Sequence, residues 1–323
     1  MGRLRKRTKA EDAVTGGLPD LHRHLDGSLR LSTLYELAHQ AGATLPDDPA
    51  AIRFYAGMGL IEALQRFGWT LSALQSTDAV TRVAAEICED AAAEEVTTLE
   101  IRFAPQLHLG ASVEAVVDAA IEGVDGRAGL ILCGLYGEDP EVLGRLVDVA
   151  HGRPEVVGID LAGGPAADHA FSMTDYAPAF SRARDLGLGR TVHAGEGRPP
   201  EEIATAITAL HAQRIGHGTT LLDDPAVLAL VLDRGVLIEA CPTSNVHTGV
   251  ISTVSAHPMV SWLELGVRVC INSDNTLLSD TDASTEHRLA ADIPGMTEAL
   301  LQRAIAFGHG GAFERDPSRP GDA

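Results

Sequence analysis

Apolar residues gather along the chain in short runs that recur at intervals. The runs are LPDLHRHL (18–25), TTLEIRFAP (97–105), GLILCGLY (129–136), VVGIDLAG (156–163), RTVHAGE (190–196), RIGHG (214–218), GVLIEACP (235–242) and VRVCINSD (267–274). Between them the apolar positions change period. Val80, Val83, Ala84, Ile87, Cys88 and Ala91 follow the i, i+3, i+4, i+7 spacing of one helix face, behind a cap expected at Asp78. Val113, Val116, Val117, Ala120 and Val124 repeat that pattern behind Ser112. Asp224 and Pro225 read as N-cap and first helical residue ahead of Val227, Leu228 and Val231.

The β-rich runs are apolar on both faces, as strands of a parallel sheet are. Eight of them alternating with helices predict a (β/α)8 barrel, the TIM barrel. The first interval is long, and residues 30 to 95 should hold two or three helices. The barrel therefore carries a helical insertion after its first strand. The competing architecture is a doubly wound open sheet. It is disfavoured because neither GxGxxG nor GxxxxGK[ST] follows any of the runs.

Composition narrows the class. The chain is 323 residues long and 45% hydrophobic, enough to bury a large core. Its formal net charge of −20 argues against nucleic acid or an anionic membrane as partner. No apolar run approaches the roughly 20 residues of a membrane span. The basic start, MGRLRKRTKAED, has no apolar stretch behind it and does not read as a secretory signal. Cys88, Cys133, Cys241 and Cys270 are far apart and form no CxxC pair, so buried free thiols in a reducing cytoplasm are expected. The expected organisation is a disordered segment at 1–17, a single barrel at 18–313 and a disordered tail at 314–323. The sequence carries no signal for oligomeric state.

In such a barrel, chemistry collects at the C-terminal ends of the strands. The first run ends in His22 and His24, two residues apart and so on one face. The fifth ends in His193 followed by Glu196, the sixth in His217, and the eighth in Asp274. Each alone has an ordinary structural explanation, such as a satisfied turn histidine or a helix cap. Together they place metal- or proton-handling groups on one rim. Imidazole and carboxylate suit zinc or a similar divalent ion, and three histidines with one aspartate leave room for water. Such an ion would lower the pKa of its water toward 7, and Glu196 could protonate the leaving side of a substrate. Metal-assisted hydrolysis follows, with amide, phosphoester and amidine substrates all open. Of the other nine histidines, His108 and His247 could reach the rim. His39, His151, His169, His211, His257, His287 and His309 are expected at the surface.

Taken together and in order, LHRHLDGS, GIDLAG, TVHAGEG, RIGHGT, CPTSN and INSD resemble the signature of the adenosine deaminase family, within the amidohydrolase superfamily. TLEIRFAPQLH resembles that family's second strand, and the likeness runs from about residue 18 to 313. The resemblance implies a (β/α)8 barrel with one catalytic zinc ion held by His22, His24, His193 and Asp274. It implies that Glu196 protonates nitrogen 1 of a purine as hydroxide adds to carbon 6, before ammonia leaves. His217 would orient the hydroxide, and Asp274 could accept its proton. Gly163 would offer a backbone N–H to nitrogen 3, and Asp26 would face the ribose, beside His24. The partner implied is a small-molecule purine, by default adenosine or deoxyadenosine. Adenine, aminodeoxyfutalosine or a modified nucleoside would use the same chemistry. A purine-binding relative without turnover is a separate possibility, as is a hydrolase of phosphoesters or lactones. The cytidine-type signature HxE…PCxxC is absent.

Two positions depart from the family pattern. Gly164 and Pro165 stand where the family has Asp-Glu, and Asn275 stands where it has a second aspartate. An amide donates at any pH and cannot ionise. Asn275 is therefore expected to read ring nitrogen 7 without adding a second charge beside Asp274; the plainer expectation is a helix cap.

Overall fold

The computed structural model describes residues 16–164 and 170–314. The expected disordered ends lie outside these residues, apart from Gly16, Gly17 and Glu314, and so does Pro165. Eight strands form one parallel sheet in sequence order: β1 (Leu18–His24), β2 (Val96–Phe103), β3 (Gly129–Leu135), β4 (Val156–Ala162), β5 (Gly189–Ala194), β6 (Arg214–His217), β7 (Leu237–Ala240) and β8 (Arg268–Ile271). A bridge between Arg23 and Asp274 joins the last segment back to β1. There the His24 amide donates to the Asp274 carbonyl at 2.7 Å and the Asp274 amide to the His22 carbonyl at 2.8 Å. The sheet is thus a (β/α)8 barrel.

Three helices fill the long first crossover: α1 (Leu31–Ala41), α2 (Leu60–Ala73) and α3 (Thr77–Ala93). The remaining outer helices are α4 (Val113–Val124), α5 (Pro140–His151), α6 (Ala177–Asp185), α7 (Glu201–Thr208), α8 (Pro225–Arg234), α9 (Pro242–His247), α10 (Met259–Glu264), α11 (Ala283–Ala291) and α12 (Glu298–His309). The periodic residues of α3 are all buried, as are those of α4 apart from the half-buried Val113, so the predicted faces pack into the core. Ser112 and Asp224 cap α4 and α8 as expected. The cap of α3 is Ser76, whose side chain accepts from the Ala79 amide. Asp78 instead lies in the first turn, where a carboxylate complements the helix dipole.

All seven residues of β4 are buried. That fits a strand covered by side chains inside the barrel and by helices outside. The four cysteines are buried and unpaired. Among the described residues, no helix is long and apolar enough to cross a membrane.

Candidate active site

The rim residues converge where the strands end. His22 and His24 close β1, and their rings lie 5.3 Å apart. The His193 ring at the end of β5 is 4.6 Å from His22 and 5.4 Å from His24. The nitrogens these three could offer an ion all lie within 4.8 Å of one another. Asp274 Oδ1 approaches the Nε2 atoms of His22 and His24 at 3.7 and 3.5 Å. Gly216 explains how the rings fit, since a Cβ there would meet His22 Cε1 at 3.0 Å. Two rim residues, His217 and Asp274, hold left-handed backbone angles, with φ of 67° and 62°. Such strain in non-glycine residues concentrates at functional sites.

Each inner histidine is aimed by a carboxylate behind it. His22 Nδ1 meets Glu239 Oε2 at 2.7 Å, and His193 Nδ1 meets Asp160 Oδ2 at 3.0 Å. An Nδ1–H donated to a carboxylate leaves the Nε2 lone pair facing the centre. Consistent with this, His22 Nε2 is buried with no hydrogen-bond partner. Arg102 ties the two acids together, at 2.9 Å from Asp160 and 2.8 Å from Glu239. Arg214 and Thr191 hold the other Glu239 oxygen at 2.7 and 3.0 Å. These buried charges form a linked set of ion pairs, so each partner is needed by the next.

The environment sets the protonation states. Burial, followed by the field of Arg102, drives the His22 pKa well below its ordinary value. Burial brings His217 down to about 4 and pushes Glu196 up from the usual carboxylate range. Burial would also raise Asp160, but His193 and Arg102 outweigh it and hold that carboxyl below its ordinary range. His193 goes the other way: Asp160 overcomes the effect of burial and raises its pKa.

Glu196 follows β5 and is 5% exposed. Its Oε2 lies 3.8 Å from His217 Nε2. Phe54 and the α2 residues Leu60, Ala63, Leu64 and Phe67 roof a cavity whose floor includes His24, Gly163, Glu196, His217 and Asn275. An adjoining cavity is walled by Leu71, Leu107, Leu135 and Tyr136, with Asp26 facing it. Asp26 is buried, its Oδ1 has no hydrogen-bond partner, and burial lifts its pKa to about 7. Gly163 follows β4 directly, with φ of 72°. Asn275 Nδ2 donates to Asp274 Oδ1. Eight of the nine candidate site residues line these two adjoining spaces, and the ninth, His22, is fully buried with its ring 5.3 Å from that of His24.

Other histidines differ from expectation. His257 and His287 are buried, not at the surface. His108 is buried too, with Nδ1 on the Leu74 carbonyl, and does not line the cavities. His247 is part-buried and contacts the Phe54 ring, 6.2 Å away. His169 lies outside the described residues. Sequence reasoning passed over Arg102, Asp160, Glu239 and Asn245. The signal was present for three of them: each is a charge in the middle of an apolar strand, which is tolerated only with a buried partner.

A parallel barrel with imidazoles, a carboxylate and a buried acid on its C-terminal rim defines the class of hydrolytic barrel enzymes. The sequence profile of the adenosine deaminase family matches residues 18–320. An adenosine deaminase of Shewanella denitrificans is 34% identical over 94% of this chain and 96% of its own. One from Enterococcus faecalis is 35% identical over 83% of each. The chain belongs to the adenosine deaminase family and is a hydrolase of that family. Among solved structures, an amidohydrolase of Burkholderia ambifaria with bound Zn superposes with a TM-score of 0.84 at 26% identity, covering 98% of this chain and 91% of its own. The N6-methyl-AMP deaminase of Arabidopsis thaliana superposes with a TM-score of 0.81 at 26% identity, covering 96% of each.

Proposed function

We propose that this chain hydrolytically deaminates a 6-aminopurine nucleoside, adenosine or a close relative, at a site holding one zinc ion. The observation that carries the reading is the convergence of four side chains that can each offer a ligand atom. The orphaned His22 Nε2, His24 and His193 lie within reach of one point, and Asp274 Oδ1 faces two of them. That donor set fits a borderline divalent ion. His22, His24, His193 and Asp274 would hold it. When bound, such an ion acidifies water toward neutrality and so supplies the nucleophile.

The chain's own groups do the rest. Glu196, whose pKa burial raises above the usual carboxylate range, delivers its proton to ring nitrogen 1 as carbon 6 is attacked. His217 faces the same carbon and steadies the charge that develops there. Asp274 takes the nucleophile's proton and passes it to the 6-amino group, which leaves as ammonia when its bond to carbon 6 breaks; the proton left on the new oxygen restores Glu196. The Gly163 backbone, Asp26 and Asn275 hold the purine from its other edges. The leucine-rich second cavity, with the Asp26 carboxyl facing it, supports a nucleoside over a phosphate-bearing nucleotide. The four buried, unpaired thiols suit a reducing compartment such as the cytoplasm. A screen of ammonia release from adenine, adenosine, deoxyadenosine, AMP and aminodeoxyfutalosine, with metal analysis on the same sample, tests the reading. Release from adenosine in a zinc-bearing sample supports it; release from none of the five overturns it.

A further inference from the structure

A chain of buried hydrogen bonds runs behind His217, away from the cavity. His217 Nδ1 lies 3.0 Å from Asn245 Nδ2, and Asn245 Oδ1 lies 3.2 Å from His257 Nε2. His257 Nδ1 lies 3.2 Å from the backbone nitrogen of Met259, the first residue of α10. Asn245 is fully buried and His257 is 3% exposed, with its ring edge-on to the buried Trp262 at 5.3 Å. Neither residue touches the cavities, and neither has a part in the mechanism above.

The polarity of this chain is dictated from its far end. A backbone amide can only donate. His257 Nδ1 must therefore accept from Met259, which leaves the imidazole proton on His257 Nε2. That N–H donates to Asn245 Oδ1. The amide orientation is then settled, and Asn245 Nδ2 donates to His217 Nδ1. With Nδ1 accepting, the proton of His217 sits on Nε2, the nitrogen 3.8 Å from Glu196 and facing the cavity. A second proton on His257 would set an N–H against the Met259 N–H. Burial holds His257 neutral, with its pKa down at about 3.

We propose that Asn245 and His257 are positioning residues, which lock His217 in the tautomer that presents an Nε2–H donor to the reacting centre. His217 then acts by donating a hydrogen bond to developing negative charge, as an oxyanion-stabilising group does. The catalytic meaning rests on the functional reading above; the tautomer itself does not.

Histidine side chains of the full-length, metal-loaded protein, labelled with nitrogen-15, report the tautomer directly in long-range proton–nitrogen correlation spectra. The His217 signals are assigned by their loss in a His217→Gln variant. The parent should show His217 Nδ1 bare and Nε2 protonated. Asn245→Asp is nearly isosteric, but its carboxylate accepts on both sides. It should place a proton on His217 Nδ1 and lower kcat by ~10²-fold or more, with KM within a few-fold. At the next link, His257→Gln keeps a donor for Asn245 Oδ1, whereas His257→Leu does not. The glutamine variant should retain the parental tautomer and most of the rate. The leucine variant should lose both. The proposal is overturned if Asn245→Asp leaves Nδ1 bare, or if the two His257 variants behave alike. If Asn245→Asp fails to fold, the His257 pair decides. A parent that releases no ammonia from any 6-aminopurine would defeat the functional reading, while the spectra would still decide the relay.

Discussion

Asn275 Nδ2 donates to Asp274 Oδ1 at 2.7 Å. The amide therefore steadies the carboxylate beside it, without needing to hold a proton. One N–H of the amide is committed to this bond, and the other remains for a purine nitrogen 7. Leaving that N–H unmatched in a buried site costs ~1–3 kcal/mol. Adenosine should accordingly exceed 7-deazaadenosine by about 10- to 100-fold in kcat/KM. Asn275→Ala should reduce that preference to a few-fold. Equal discrimination by parent and variant would show that Asn275 serves Asp274 alone.

The histidine cluster makes a stoichiometric claim. Elemental analysis of the parent should find one zinc-like ion per chain, and His22→Ala or His193→Ala should bind none. The acids behind the ligands should matter as well. Asp160→Asn removes the charge that accepts from His193 Nδ1. Such outer partners typically contribute about 10- to 100-fold in metal affinity. Competition with a chelator should register a loss of that size, and unchanged affinity would detach Asp160 from the metal site.

Glu196→Gln keeps the shape of the side chain and removes its transferable proton. A positioned general acid contributes ~10²–10⁴-fold. The variant should retain its metal and bind the purine product with near-parental affinity, measured by calorimetry, while kcat falls within that range. Turnover within a few-fold of the parent would reassign the proton donor.

Much of this arrangement was legible in the chain, and the reason is local. The HxH of β1 occupies one strand face by period alone, and His193, His217 and Asp274 each stand at the end of an apolar run. A strand ending fixes the rim position without knowledge of its neighbours. Partnerships across the barrel were not legible. His22 and Glu239 are 217 residues apart, and Arg102 and Asp160 are 58 apart. Only barrel closure brings them into contact. The same holds for His257, which was expected at the surface. Its burial depends on α10 and Trp262 packing over it, not on any local pattern. The Ser76 cap was missed because Ser, Thr and Asp follow one another closely there, and each is a competent cap.

Glu286 on α11 gives a pH dependence unconnected with metal. It is 1% exposed and accepts from the Thr243 amide and the Thr281 hydroxyl. Burial raises its pKa to about 7. Between the ordinary glutamate pKa of about 4.3 and that value, the folded state keeps a proton that the unfolded chain has lost. Stability therefore falls as pH rises through this window and levels off above it. The loss is on the order of 3 kcal/mol. Glu286→Gln cannot ionise and should remove this slope. Urea unfolding of both proteins at about pH 5 and about pH 8 checks it. Parallel pH trends would mean that Glu286 titrates normally.

Gly27, in LHRHLDGS, is explained by a residue 248 positions away. A Cβ on Gly27 would stand 1.9 Å from Asn275 Oδ1 and 2.7 Å from its Cγ. The backbone cannot retreat freely, because the Gly27 carbonyl accepts from the amides of Leu277 and Leu278 at 3.1 and 3.3 Å. Gly27→Ala must therefore drive the Asn275 amide away from Asp274. Overpacking of this kind costs ~1–3 kcal/mol. If the amide is what Gly27 makes room for, the cost should largely vanish once the amide is gone. In an Asn275→Ala background, Gly27→Ala should change urea stability and kcat/KM little. In the parent it should depress both. The double-mutant cycle should thus give a coupling of about 1 kcal/mol or more, where unrelated sites add within about 0.5 kcal/mol. Additive losses would mean that the glycine answers to the turn after β1 and not to Asn275.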